Sequence, residues 1–245
     1  GVAGLLYGTA CRVLRRQQTA LVYEPAVLHA DHGDHTAVVT THTGLVLRGW
    51  VDNPDRDKAL VYYGGRSEQI ELRRHILADT FPDHTRYFVP YRGFGPNQDG
   101  TPSETALKSD AVALLQHVAG QHSWVDVIGR SLGTSMATHA SACVPPRALA
   151  LITPFNSVLD IAKSRYRWAP VAWLLRDRHE VWKDAVRVHA PVLAYLAGHD
   201  DTTPHAFWHK LHACFSTSVT VHVAHTEDHN SIAFCNEMWH NIACF

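Results

Sequence analysis

A serine flanked by glycines, Gly129-Arg130-Ser131-Leu132-Gly133, stands where the apolar run Trp124–Ile128 gives way to the small residues Leu132 to Ala142. A nucleophilic serine needs this setting. Placed in a sharp strand-to-helix turn, its backbone is strained, and a glycine two positions to either side leaves room for close approach. The turn lifts Oγ above the sheet, and the helix N-terminus beneath it offers positive potential to a developing oxyanion. The five-residue pattern alone recurs by chance; between a strand and a helix it is specific.

A serine hydroxyl is a weak nucleophile, so it needs a base, and the base needs an orienting acid. In folds with this turn the chain order is serine, acid, histidine. Gly198-His199-Asp200-Asp201 follows the apolar run Val192–Leu196, and His225 to His229 follow the run Val219–Val223. Both slots are filled in the required order. Asp200 and Asp201 compete for the acid, and His225 and His229 for the base. An acyl-transfer site also needs amide donors for the oxyanion: one from the residue after the nucleophile, Leu132, the other from the loop after the third strand. That loop reads Tyr62-Tyr63-Gly64-Gly65-Arg66-Ser67, which makes Arg66 the expected backbone donor, with Gly65 completing the set and permitting the turn. A plain Gly-Gly turn would leave the same trace.

The elements that must hold these residues alternate short β-rich runs with helical patterns, the mark of a mostly parallel sheet. Ala37–Thr41 and Gly44–Val51 read as an antiparallel hairpin. Ala59–Tyr63 is an apolar run and Thr85–Pro90 a further run of strand length; Trp124–Ile128, Leu149–Ile152, Val192–Leu196 and Val219–Val223 read as apolar on both faces, as central parallel strands covered by helices would be. Ser67–Asp79 has helical spacing. Thr101-Pro102-Ser103-Glu104 reads as a capping box opening the next helix, with Thr101 as the cap. The expected fold is therefore α/β, a central sheet of about eight strands with two leading antiparallel strands and helices on both faces. Residues 156–190, rich in Trp and Arg, lie between two strands and could form a small helical cap or serve as ordinary packing helices.

Composition sets the outer limits. With 245 residues, 46% hydrophobic and 18% charged, the chain suits a single domain over 1–245 with a sizeable core, and a net charge of −1 gives no reason to expect nucleic acid. Five dispersed cysteines without a CxxC pair build neither a disulfide framework nor a zinc knuckle. No apolar stretch reaches the ~18 residues of a membrane span. Gly1 to Cys11 are mostly apolar or small and run into Arg12, Arg15 and Arg16. Two readings stand side by side: residues 1–20 as the remnant of an N-terminal anchor, or as an amphipathic helix packed on the domain.

The 19 histidines invite a metal hypothesis. His205, His209 and His212 share one helical face, and His29, Asp31, His32, Asp34 and His35 crowd one loop. Neither group matches a catalytic metal signature, and solvated surface histidines are the expectation, with no metal and no cofactor. So many groups titrating between about pH 5 and 8 would make charge and solubility strongly pH-dependent.

Tyr62–Arg66, Tyr91-Arg-Gly-Phe-Gly, Thr101-Pro-Ser-Glu, Gly129-Arg-Ser-Leu-Gly, the Asp200 to Pro204 turn and His229-Asn-Ser-Ile together resemble the small serine α/β-hydrolases of the prolyl-oligopeptidase/dienelactone-hydrolase-like branch. The similarity runs from about Leu21 to Met238. In that branch the acid lies four residues before the proline and the base opens the His-Asn pair, which implies Asp200 and His229. The resemblance implies cleavage of carboxylic esters, or of thioesters or amides, without a cofactor, on a small-molecule acyl substrate. It also implies a membrane association through an N-terminal anchor that many relatives carry, so both cytoplasmic and membrane-associated locations stay open, as does the oligomeric state. A non-catalytic binding protein of the same fold is the alternative from another class. One departure stands out: Arg66 replaces the asparagine of His-Gly-Asn or Gly-Gly-Asn, and its side chain could reach an acidic substrate group or point to solvent.

Overall fold

The computed structural model describes residues 2–24 and 34–245. Among them eight strands form one sheet in the order β1-β2-β4-β3-β5-β6-β7-β8. They are β1 (Thr36–Thr40), β2 (Val46–Asp52), β3 (Lys58–Tyr63), β4 (His84–Phe88), β5 (Trp124–Arg130), β6 (Ala148–Ile152), β7 (Val192–His199) and β8 (Val219–Asp228). β2 runs antiparallel to β1 and to β4; every other pairing, from β4 through β3 to β8, is parallel. This is the expected α/β architecture, with two leading antiparallel strands and a mostly parallel sheet.

The helices are α1 (Val2–Tyr23), α2 (Arg74–Thr80), α3 (Glu104–Ala119), α4 (Gly133–Cys143), α5 (Val158–Arg165), α6 (Val171–Leu174), α7 (Trp182–Ala185), α8 (His205–His212) and α9 (Asn236–Cys244). The period-2 alternation of strands divides the core between them. In β3, Ala59, Val61 and Tyr63 join the cluster that also holds Leu107 and Leu115 of α3 and Met136 of α4. Leu60 and Tyr62 point the other way, into the cluster with Leu77 of α2 and Trp239 of α9. β7 does the same with Leu193 and Tyr195 on one face, Ala194 and Leu196 on the other, the latter packed on Trp208 of α8. Burial on both faces explains the apolar runs of β3, β6 and β7; β8, expected to be a covered central strand, is instead the edge of the sheet and is exposed over Thr220–His222.

Local differences from the sequence reading have local causes. The expected helix over 67–79 is a 3-10 turn, Ile70–Arg73, leading into α2. The capping box shifts by two residues: Ser103, not Thr101, caps α3, its hydroxyl accepting from the Ala106 amide at 3.3 Å. The Glu104 carboxylate turns away to accept from the amides of Arg178 and His179. A tertiary partner with two unsatisfied donors outcompetes the local box. Residues 2–23 form one helix whose C-terminal half packs on the domain, and no helix of the described residues is long and apolar enough to cross a membrane.

Candidate active site

β5, β7 and β8 end on the same edge of the sheet, the edge where parallel sheets place their ligands. Ser131 follows β5, Asp200 follows β7 and His229 follows β8. Ser131 Oγ lies 2.9 Å from His229 Nε2, and His229 Nδ1 lies 2.8 Å from Asp200 Oδ2. The three side chains thus form one hydrogen-bonded row. Asp200 is buried and fully engaged: Oδ1 accepts from the amides of Thr202 and Thr203 at 2.9 and 2.6 Å, and Oδ2 also accepts from Thr203 Oγ1 at 2.8 Å. Burial by itself would raise this carboxyl's pKa, but the hydrogen bond and charge of His229, with the Thr203 donors, outweigh it and hold the group below its ordinary value. Asp201 faces solvent, and His225 is exposed within β8. The row uses neither.

Ser131 has φ +49°, the left-handed region that a non-glycine residue enters at a cost of about 1–3 kcal/mol. Its surroundings leave it little choice. The Ser131 amide donates to Ile152 O at 2.9 Å, and the Ser131 carbonyl accepts from the Thr134 amide at 2.9 Å. A Cβ on Gly133 would collide with the carbonyl oxygens of Tyr63 and Gly64, the latter at 2.6 Å. One on Gly129 would meet Ala137 Cβ at 2.6 Å and the Gly133 carbonyl oxygen at 2.7 Å. The two glycines let α4 start directly against the end of β3.

The loop after β3 crosses beside Ser131. Among the described residues, no hydrogen bond engages the amides of Leu132 or Arg66, and both residues line the cavity at Ser131. Gly65 departs from expectation: its amide donates to Glu68 Oε2 at 2.6 Å, so it anchors the loop and is not a free donor. The Arg66 side chain stays exposed, in line with the solvent reading, and it also reaches back to α1. Nη1 donates to the Leu21 carbonyl at 2.8 Å and Nη2 pairs with Glu24 at 3.2 Å, capping the C-terminal end of α1.

No family model matches the chain. The uncharacterized protein MT2364 of Mycobacterium tuberculosis is 34% identical over 205 residues, which cover 77% of this chain and 72% of that protein. The chain belongs to that family. The lysophosphatidylserine lipase ABHD12 of Danio rerio is 31% identical over 146 residues, 50% of this chain but 37% of that protein. Among solved structures, the esterase Pf2001 of Pyrococcus furiosus superposes with a TM-score of 0.69 at 15% identity, covering 89% of this chain and 92% of that one. The fold is the α/β-hydrolase fold.

Within this fold, the residues least visible in the sequence are those that brace the site. Glu68 is buried, with a side chain 3% exposed, and its carboxylate meets four donors. Tyr62 Oη and Arg73 Nε reach Oε1 at 3.0 and 2.9 Å; the Gly65 amide and Arg130 Nη1 reach Oε2 at 2.6 and 3.3 Å. Arg130 Nη2 then donates to the carbonyl of His229 at 2.9 Å, and Arg73 Nη1 to that of Ala233 at 3.3 Å. Glu68 therefore ties together the loop after β3, the turn carrying Ser131 and the loop carrying His229. Its burial would raise its pKa, yet the charges of Arg130 and Arg73 and the Gly65 amide hold it below the ordinary value. Arg130 stands inside the glycine-serine motif and Glu68 three residues past Gly65, a pair of opposite charges that the sequence carries in plain view but does not connect.

A cavity of about 230 Å³ opens onto Ser131, walled by Leu14, Gln18 and Leu21 of α1, Phe155, and Val158 and Ile161 of α5, with Thr203 at its floor. α1 thus becomes part of the site. It is held there by Gln18, which accepts from the Arg176 amide at 2.7 Å, and by Tyr23, whose hydroxyl lies 3.0 Å from His179 Nε2. His179 is fully buried at φ +42°, its Nδ1 2.9 Å from Ser135 Oγ in α4. As for the histidines of the metal hypothesis, His205 Nε2 lies 2.8 Å from the Ala197 carbonyl and His212 stacks on Trp208. In the other loop, His29, Asp31 and His32 fall outside the described residues, while Asp34 accepts from Trp50 Nε1 and Arg74. No group of three or more metal-ligating side chains occurs among the described residues.

Proposed function

We propose that the chain is a serine hydrolase that cleaves carboxylic esters through an acyl-enzyme intermediate, with Ser131 as nucleophile, His229 as base and Asp200 as the orienting acid. The observation that carries this is the row Ser131 Oγ–His229 Nε2–His229 Nδ1–Asp200 Oδ2, at 2.9 and 2.8 Å, beside an apolar cavity that Ser131 lines. His229 Nε2 takes the Ser131 proton as Oγ attacks the ester carbonyl, while Asp200 keeps the Nδ1 proton in place. The Leu132 and Arg66 amides receive the oxyanion, and the N-terminus of α4 adds to the potential there. Collapse of the tetrahedral adduct breaks the ester C–O bond, and His229 returns the proton to the leaving alcohol. A water then gives a proton to His229 as its oxygen attacks the acyl carbonyl; collapse of the second adduct breaks the acyl C–Oγ bond, releases the acid, and His229 returns the proton to Oγ.

The cavity favours an ester with an apolar acyl chain. It is about 230 Å³ in volume and lined chiefly by Leu, Val, Ile and Phe side chains. The name of the Danio rerio relative, a lipase, agrees with such a substrate. The intact row speaks against a purely structural use of the fold. Fluorophosphonate labelling and a panel of p-nitrophenyl esters of increasing acyl length test the reading. The wild type should label and hydrolyse; Ser131→Ala should lose labelling and at least ~10³-fold of the turnover. Labelling retained by Ser131→Ala would overturn the assignment.

A further inference from the structure

The walls of the cavity carry a second feature on their outer side. The first seven described residues of α1, Val2 to Gly8, hold no charge, and the helix stands proud of the domain there, with Leu5 74% exposed and Val2, Leu6 and Tyr7 exposed beside it. Tyr7 leans edge-on against Trp168, ring centroids 6.2 Å apart, so this overhang runs beside the segment between α5 and α6. That segment and α6 present Trp168 at 52% and Trp173 at 89% exposure. Tryptophans so open to water on a folded surface are unusual, because they leave large apolar area unburied.

The elements that carry this apolar ridge are rich in positive charge. α1 contains three arginines and no acidic residue. Residues 156–190 hold seven Lys and Arg against four Asp and Glu, although the whole chain is net −1. The acids of that segment are largely consumed: Asp184 by Lys108, His139 and Arg187, Asp160 by Lys210 and Asn156, Glu180 by Lys183. The side chains of Arg12, Arg15, Arg16, Arg165, Arg167 and Arg176 are exposed and form no ion pair among the described residues.

We propose that this face docks on an anionic lipid surface: the apolar end of α1 with Trp168 and Trp173 enters the headgroup region, and the arginines meet lipid phosphates and carboxylates. Exposed apolar and tryptophan side chains bordered by unpaired cations are the composition an interfacial site requires. The charge asymmetry selects a negative partner, and the apolar ridge selects one with an accessible hydrocarbon layer, which an acidic protein lacks. The placement matters because Leu14 and Leu21 of α1, with Ile161 and Leu174, line the same cavity as Ser131. A docked molecule would admit an acyl chain from the bilayer without exposing it to water. This last step rests on the hydrolase reading; the docking itself does not.

The test is co-sedimentation of the full chain with vesicles of phosphatidylcholine alone and of phosphatidylcholine with phosphatidylserine. The protein should pellet with the anionic vesicles, release with added salt, and show a blue shift of tryptophan emission. Reversing Arg12, Arg15 and Arg16 together to Glu should weaken binding by at least ~100-fold, at about fivefold per charge removed. Trp168→Ala/Trp173→Ala should weaken it at least ~10-fold, with unchanged melting and unchanged hydrolysis of a soluble short-chain ester. Ser131→Ala should bind like the wild type, so a failure of the catalytic assignment leaves this result intact. Equal binding to both vesicle types, no binding to either, or variants that bind normally would overturn the proposal. Loss of a solution dimer in the tryptophan variant, without any vesicle binding, would overturn it in favour of a second copy of the chain.

Discussion

Glu68→Gln is the substitution whose outcome reports most directly on how the site is braced. The carboxylate offers two oxygens to four donors, and its cationic partners Arg73 and Arg130 have side chains only 9% and 8% exposed. A glutamine keeps the shape but replaces one oxygen with an NH2 group. Whichever way the amide turns, that NH2 faces donors: Arg73 Nε and Tyr62 Oη on one side, or Arg130 Nη1 and the Gly65 amide on the other. Two buried guanidiniums also lose their counter-charge. Removing one partner of a buried ion pair costs about 3–5 kcal/mol, and the partial bonding left to the amide places this case near ~3 kcal/mol. For a chain of this size about 3 kcal/mol lowers the melting temperature by roughly 6–12 °C. Because the same carboxylate sets the loop of Arg66 and, through Arg130, the backbone of His229, kcat should fall on the order of 10²-fold with little change in KM. Differential scanning calorimetry and ester kinetics on the same preparation measure both. A variant that melts within about 2 °C of the wild type and turns over normally would refute the bracing argument.

Other perturbations probe the row and its supports. Asp200→Asn should leave the fold intact and lower kcat by about 10⁴-fold, since the amide favours the wrong imidazole tautomer, whereas Asp201→Asn should behave as wild type; the reverse pattern would reassign the acid. Gly133→Ala drives a methyl into the carbonyl oxygens of Tyr63 and Gly64, and should cost about 1–3 kcal/mol in urea unfolding along with most of the activity. Burial pushes the His179 imidazole down to about 4, against the opposing pull of Glu104. The unfolded chain therefore takes up that proton first, near its ordinary value of about 6.5. Stability should be complete above about pH 6.5 and decline by about 3 kcal/mol as pH falls towards about 4. A urea-unfolding series across that window checks this, and His179→Gln should flatten the slope.

Much of this molecule was legible along the chain, because the signals involved are local. Strands buried on both faces are mostly apolar, so Ala59–Tyr63, Trp124–Ile128 and Val192–Leu196 read as strands without any knowledge of their neighbours, although Asp126 in the second is buried against Arg147. The turn at Ser131 is likewise written in five residues, since only glycines fit where β5 folds back into α4. Edges were less certain: β8 extends to Asp228, well past its apolar run, because parallel pairing with β7 continues beyond the apolar residues.

What the tertiary structure alone decided are the relations between distant positions. Asp200 and Asp201 have equal chemistry and adjacent places; only the first joins the hydrogen-bonded row, because its side chain turns inward, onto Thr203 and onto an imidazole 29 positions away. Arg66 is exposed, but its partner, the carbonyl of Leu21 45 positions earlier, is supplied only by the packing of α1. Glu68 and Arg130 lie in separate motifs, and their meeting depends on β3 and β5 being neighbours in the sheet. Residue type and spacing fix backbone conformation over a few residues. Which side chains meet is set by strand order and by how helices pack across the sheet, and neither is encoded in any single stretch of the chain.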